Sequence, residues 1–183
     1  VEVRDEGSAL VPAHNAAALS ALTLPIYDEA DALLAAVRAH QVIVVEGATG
    51  SGKTTQIPRI LYHSGLTDRI IGVTQPRRIA ATSVAHRIAV EEGVTLPDER
   101  GKEERRSSTG SHVGYCIRFD DRSDHNTRIK VMTDGILLEE ARGDPDFDAY
   151  GVLMIDEAHE RTLNIDVTLG LLGRALKRRA DLR

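Results

Sequence analysis

A chain of 183 residues, 42% of them hydrophobic, carries enough apolar material for one globular domain, which excludes disorder throughout. Its 23 basic and 28 acidic side chains leave a net charge of −5, so the chain as a whole is no polycation and any polyanionic partner must meet a local patch. Cys116 has no second cysteine to pair with, and the sequence has neither a secretory apolar core nor a run long enough to span a bilayer; a reducing, soluble compartment is expected.

Residues 1–25 mix Gly, Pro, Ala and Ser without steady periodicity and read as an arm or linker with room for local structure. The first residue is Val rather than Met, and the last stretch stops straight after a helix-like segment, so the chain reads as a piece of a longer one. From Asp28 the pattern changes. Ala30, Leu33, Leu34 and Val37 fall at i, i+3, i+4 and i+7, predicting an amphipathic helix with acids in its first turn, where the helix dipole favours them. The letters D-E-A-D at 28–31 carry no chemistry, because no apolar strand precedes them.

"QVIVVEG", 41–47, is a β-branched run bounded by glycine and predicts a strand, followed by a glycine-rich turn and a helix to about residue 64. Three more apolar runs predict strands at 70–75, 129–133 and 151–157, with helices at about 77–92, 134–142 and 162–178. In the last helix Ile165, Leu169, Leu172 and Leu176 mark the apolar face. Continuous rather than alternating apolar strands separated by helices predict an α/β fold, a mostly parallel sheet with helices on both faces. The stretch 98–112 breaks the rhythm: Lys102, Arg105 and Arg106 are offset by Glu99, Glu103 and Glu104, so it reads as a solvated loop. "GYCIRFDD", 114–121, alternates like a hairpin arm, in which Arg118 and Phe119 can contact a phosphate or stack on a base, with packing the expected role of Phe119. Cys116 has no Cys or His at ligand spacing and reads as a small core residue.

The chemistry concentrates at strand ends. "GATGSGKT", 47–54, satisfies G-x-x-x-x-G-K-[ST] between a predicted strand and a predicted helix. Its glycines let successive N–H groups turn inward on a phosphate, above the positive end of the following helix. Gly50, Ser51, Gly52, Lys53, Thr54 and the next residue, Thr55, are the nucleotide-binding candidates. Lys53 reaches toward the β- and γ-phosphates, and the Thr54 hydroxyl suits Mg²⁺. "VLMIDEAHER", 152–161, drives an apolar strand into a cluster of charges. Asp156 at the tip suits the metal and Glu157 suits a general base on the attacking water. "TQPRR", 74–78, sets Arg77 and Arg78 just past another strand end, and "TDGIL", 133–137, sets Thr133 and Gly135 at a strand-to-helix turn; each supplies donors for a sugar-phosphate chain.

Taken together, "GATGSGKTTQ", "TQPRRIAA", "TDGIL" and "DEAHER" resemble motifs I, Ia, Ib and II of the DEAH-box (DEAH/RHA) helicases in order and approximate spacing. The resemblance covers roughly residues 26–183 and implies the first RecA-like domain of an ATP-dependent RNA helicase, a P-loop NTPase fold, cut before motif III and without the second RecA-like domain. It assigns ATP or another NTP, with Mg²⁺, to Lys53, Thr54 and Asp156, the base role to Glu157, and coupling between nucleotide and RNA to His159. It sets Arg87 against the adenine ring and makes Arg77, Arg78, Arg118, Thr133 and Gly135 RNA contacts. The implied partners are RNA, the second RecA-like and C-terminal domains of the parent chain and, where one exists, a protein activator, with no membrane and an intracellular site, nuclear or cytoplasmic. Arginine fingers from the second domain are missing, so slow hydrolysis by this piece alone is expected. Two alternatives stay open: a P-loop NTPase of another class, such as a kinase or DNA helicase, and a nucleotide-binding scaffold without turnover.

Overall fold

The computed structural model describes residues 15–97 and 111–183; most of the charged loop at 98–112 lies outside the described residues. Five strands, β1 (Ile70–Gln75), β2 (Val113–Ile117), β3 (Asp120–Arg122), β4 (Ile129–Thr133) and β5 (Tyr150–Ile155), form one sheet in the order β3-β2-β4-β1-β5. All neighbours run parallel except β2 and β3, which close as an antiparallel hairpin, as the alternation at 114–121 predicts. The helices are α1 (Ala16–Ala21), α2 (Ala30–Ala39), α3 (Lys53–His63), α4 (Arg78–Glu92), α5 (Asp134–Gly143) and α6 (Leu163–Ala175). Among the described residues no helix is long and apolar enough to cross a membrane.

The apolar strands are continuous because both faces are covered. Ile71 and Val73 point to one side, where Ile57, Ile60 and Leu61 of α3 and Ala81, Ala85 and Ile88 of α4 bury them. Met132 and Tyr150 point to the other, against Leu137 of α5 and Leu172 and Ala175 of α6. Helix α2 buries the four residues that its periodicity singles out, Ala30, Leu33, Leu34 and Val37. In α6 the inner face is Ile165, Thr168, Leu172 and Ala175, while Leu169, expected inside, is 43% exposed. Part of the N-terminal arm is helical: Asn15 caps α1 through its side chain and donates to Val90 O at 2.7 Å.

The strand expected at 41–47 does not form. Its backbone has no ladder partner among the described residues, and Val42 and Val44 are 66% and 83% exposed. A β-branched run sets backbone preference; a strand also needs a neighbour. The outer edge of β5 begins such a ladder elsewhere, since Leu153 N donates to Arg183 O at 2.8 Å and Arg183 N to Gly151 O at 3.0 Å.

Beneath α3 and α4 lies a buried ionic cluster that hydropathy does not reveal. Glu91 and Glu92 end α4 at its negative pole, where acids are unfavourable, and both are buried. Arg59, fully enclosed, compensates them: its Nη1 lies 2.9 Å from Glu91 Oε2 and its Nε 2.6 Å from Glu92 Oε1. His63 Nε2 and His112 Nε2 approach Glu92 Oε2 at 2.9 and 3.0 Å, and the His112 ring stacks on Tyr62. Burial by itself would raise the Glu92 carboxyl, but the bonds from His112, His63 and Arg59 hold it well below the usual carboxylate range. The folded group therefore binds its proton later than the unfolded one as the pH falls, so its stabilisation is full above the unfolded titration near about pH 4 and is lost below it. Urea unfolding of Glu92→Gln is expected to show lower stability at pH 7 and a flatter loss of stability between about pH 4 and pH 2 than the parent.

Candidate functional site

Three of the motifs lie at the carboxyl ends of β1, β4 and β5, where open α/β folds bind ligands, and the phosphate loop meets them there through Thr54 and Asp156. The loop 47–52 enters α3 through Gly50 (φ 80°) and Gly52 (φ 96°). A Cβ on Gly52 would sit 2.9 Å from Leu24 Cδ1 and 3.1 Å from Gln56 Cγ, whereas one on Gly50 would meet nothing within 4 Å. Gly52→Ala therefore combines a left-handed backbone with a collision, and is expected to cost more than the roughly 1–2 kcal/mol that the backbone alone imposes at Gly50→Ala. The two thermal midpoints check this ordering. Ile26 N donates to Ser51 O at 3.3 Å and ties the loop to the preceding turn.

Lys53 Nζ lies within the loop, donating to Gly47 O at 2.6 Å, Ala48 O at 2.9 Å and Ser51 Oγ at 3.3 Å. The ammonium thus sits where the loop folds round it, and a phosphate entering the loop would exchange carbonyl oxygens for its own. Thr54 Oγ1 donates to Asp156 Oδ2 at 2.6 Å, although 102 residues separate them. A hydroxyl and a carboxylate in contact supply the hard oxygen donors that Mg²⁺ takes, together with phosphate and water. Among the described residues no group of three or more His, Cys, Asp or Glu side chains could hold a metal ion.

Glu157 follows the strand with a left-handed backbone (φ 51°), and its N–H holds Asp156 Oδ1 at 2.9 Å. Its carboxylate is half-exposed, with His159 Nε2 3.4 Å from Oε2 and itself exposed. Gln75, which motif reading passed over, also belongs here: its Nε2 donates to Asp156 Oδ2 at 2.7 Å from the end of β1. An amide closing an otherwise apolar strand was the available signal.

Along the same edge a cavity of about 500 Å³ gathers Arg78, Arg118, Thr133, Gly135 and Asn164. Arg77 is not in this group; it points into solvent and lies 3.6 Å from Glu160. Phe119, expected to pack, is 87% exposed at the turn between β2 and β3, with φ 72° and the Arg118 guanidinium 4.8 Å from its ring centre. A two-residue turn at a hairpin tip leaves an aromatic no core to enter. Cys116 is half-buried, and burial, reinforced by Asp121, pushes its thiol up to about 11, which removes it as a nucleophile. Arg87, on α4, is bound through Nε to Glu91 Oε1, and the other oxygen of that carboxylate meets Gln56 in the first turn of α3.

No family model matches the chain. It is 47% identical over 163 residues to proteins named "Probable ATP-dependent RNA helicase DHX35" from Homo sapiens and from Pongo abelii, an alignment covering 87% of this chain and 21% of each relative. The chain thus spans about a fifth of the length of these curated relatives. With that identity across most of its residues, and with the phosphate loop and the DEAH acids meeting on one edge of a parallel sheet, the chain belongs to the DEAH-box helicase family.

Proposed function

We propose that this chain is the first RecA-like domain of an ATP-dependent RNA helicase, binding ATP and Mg²⁺ at the carboxyl edge of its sheet and RNA along the neighbouring rim. One observation carries the reading: Thr54 and Asp156, on the phosphate-loop helix and the acidic strand end, share a 2.6 Å hydrogen bond. In this reading Gly50, Ser51, Gly52 and Thr55 line the phosphates, Lys53 neutralises them, and Thr54 and Asp156 hold the ion. The ion would neutralise charge on the phosphate oxygens. Glu157 orients the attacking water and takes its proton. His159 and Gln75, flanking the acids, pass the state of the nucleotide to the RNA rim. Arg78, Arg118, Thr133 and Gly135 meet the RNA backbone, with Arg77 joining from outside the cavity, and Arg87 stacks on the base.

Turnover needs charge stabilisation from a second domain, so residues 1–183 alone hydrolyse ATP slowly in this reading. The partners are RNA and the remaining domains of the longer protein, and the site of action is inside the cell. Steady-state ATPase of the full-length protein, with and without single-stranded RNA or DNA, tests the reading. RNA stimulation that Lys53→Ala abolishes is the expected result; turnover indifferent to RNA, or surviving that substitution, would overturn it.

A further inference from the structure

The buried cluster reaches the nucleotide edge through one carboxylate. Glu91 Oε2 accepts from Gln56 Nε2 at 2.7 Å and from Arg59 Nη1 at 2.9 Å, while Oε1 accepts from Arg87 Nε. Gln56 is held in turn, donating to Thr55 Oγ1 at 2.7 Å and accepting from Tyr27 Oη at 2.9 Å. The Glu91 side chain is 1% exposed, whereas that of Arg87 is 52% exposed. Arg87 therefore docks on an acceptor that cannot move, unlike the usual exposed pair one helical turn apart. The bond uses the Nε of the guanidinium, the side chain is half-exposed, and among the described residues Arg87 makes no other hydrogen bond.

From this geometry we propose that Glu91 is a positioning residue: it fixes the plane of Arg87 beside the first turn of α3, so that the guanidinium meets the nucleobase of a bound nucleoside triphosphate already oriented. The proposal rests on the assignment of Arg87 to the base made above. A free arginine loses about 2 kcal/mol of rotamer freedom when it is ordered. Ordering it before the ligand arrives removes that loss from binding. A face-on guanidinium holds any base, so Glu91 governs affinity for the base moiety rather than choice among bases. The phosphates stay with Lys53 and the loop.

Inorganic tripolyphosphate, which has phosphates and no base, separates this role from support of α3. Dissociation constants of the Mg²⁺ complexes of ATP and tripolyphosphate are measured on the full-length protein for the parent and for Glu91→Gln, Arg87→Ala, the double variant, Arg87→Lys and Lys53→Ala. Glu91→Gln is expected to weaken ATP by about five- to tenfold and to leave tripolyphosphate unchanged. Arg87→Ala should do the same, and the double variant should lose no more than either alone. Arg87→Lys keeps the buried carboxylate and the charge but has neither plane nor Nε, so it should lose ATP affinity even if Glu91→Gln does not fold. Equal weakening of both ligands by Glu91→Gln would overturn the proposal, as would a silent Glu91→Gln beside a weakened Arg87→Ala, or parental ATP affinity in Arg87→Lys. A Lys53→Ala variant binding both ligands as tightly as the parent would instead overturn the nucleotide site itself.

Discussion

Glu157→Gln is expected to lower RNA-stimulated ATP turnover of the full-length protein by about 10²- to 10⁴-fold, the range for loss of a general base, while ATP stays bound. The expectation follows from division of labour at the end of β5. Asp156 is engaged on both oxygens, by Thr54 and Gln75 on Oδ2 and by the Glu157 N–H on Oδ1, so it is held still, as the metal role proposed for it requires. Glu157 is turned out by a left-handed backbone and keeps a half-exposed carboxylate whose ionic partner among the described residues is His159, which leaves it open to solvent. A glutamine keeps the shape and the neighbours and removes the basicity. Single-turnover hydrolysis, read beside equilibrium binding of ATP, distinguishes lost chemistry from lost binding; undiminished turnover would take the base role away from Glu157.

Arg59→Ala is expected to destabilise the domain by about 3–5 kcal/mol, the loss typical when one partner of a buried ion pair is removed. The side chain is fully buried and serves two carboxylates and the Gln56 amide, which its Nη1 meets at 2.6 Å. Removing it leaves Glu91 and Glu92 enclosed at the negative end of α4, with the half-exposed Arg87 still on Glu91 and the His63 and His112 rings on Glu92. Urea unfolding at pH 7 measures the effect, and a change below about 1 kcal/mol, the worth of an exposed pair, would contradict it.

These two residues show what was legible in the sequence. Asp156 and Glu157 stood out because an apolar run cannot end in charge without a reason, and the sheet brings Asp156 against Thr54 of the phosphate-loop helix. Arg59, Glu91 and Glu92 did not stand out, since a charged residue at a helical position reads as solvated unless its partners on another helix are known; periodicity reports a face, not what meets it. Leu169 failed for a related reason: α6 turns Thr168 inward beside Ile165 and Leu172, and helical phase is set by contacts with α5 and the sheet rather than by hydrophobicity alone. At 41–47 composition led to a strand that the structure does not form, because pairing, which is not local, is absent there among the described residues. The hairpin at 113–122 was legible because its alternation and its partner lie within one turn of each other.

Val42 and Val44 stand 66% and 83% exposed on a β-branched run that has no ladder partner among the described residues. Such a run is a contact point for a second copy of the chain, and because the chain carries a net charge of −5, that contact would tighten as salt screens the repulsion. Val44→Lys, at a position that already faces water, is expected to raise the concentration at which the protein stays monomeric in light scattering, and it leaves the phosphate loop and its acids untouched.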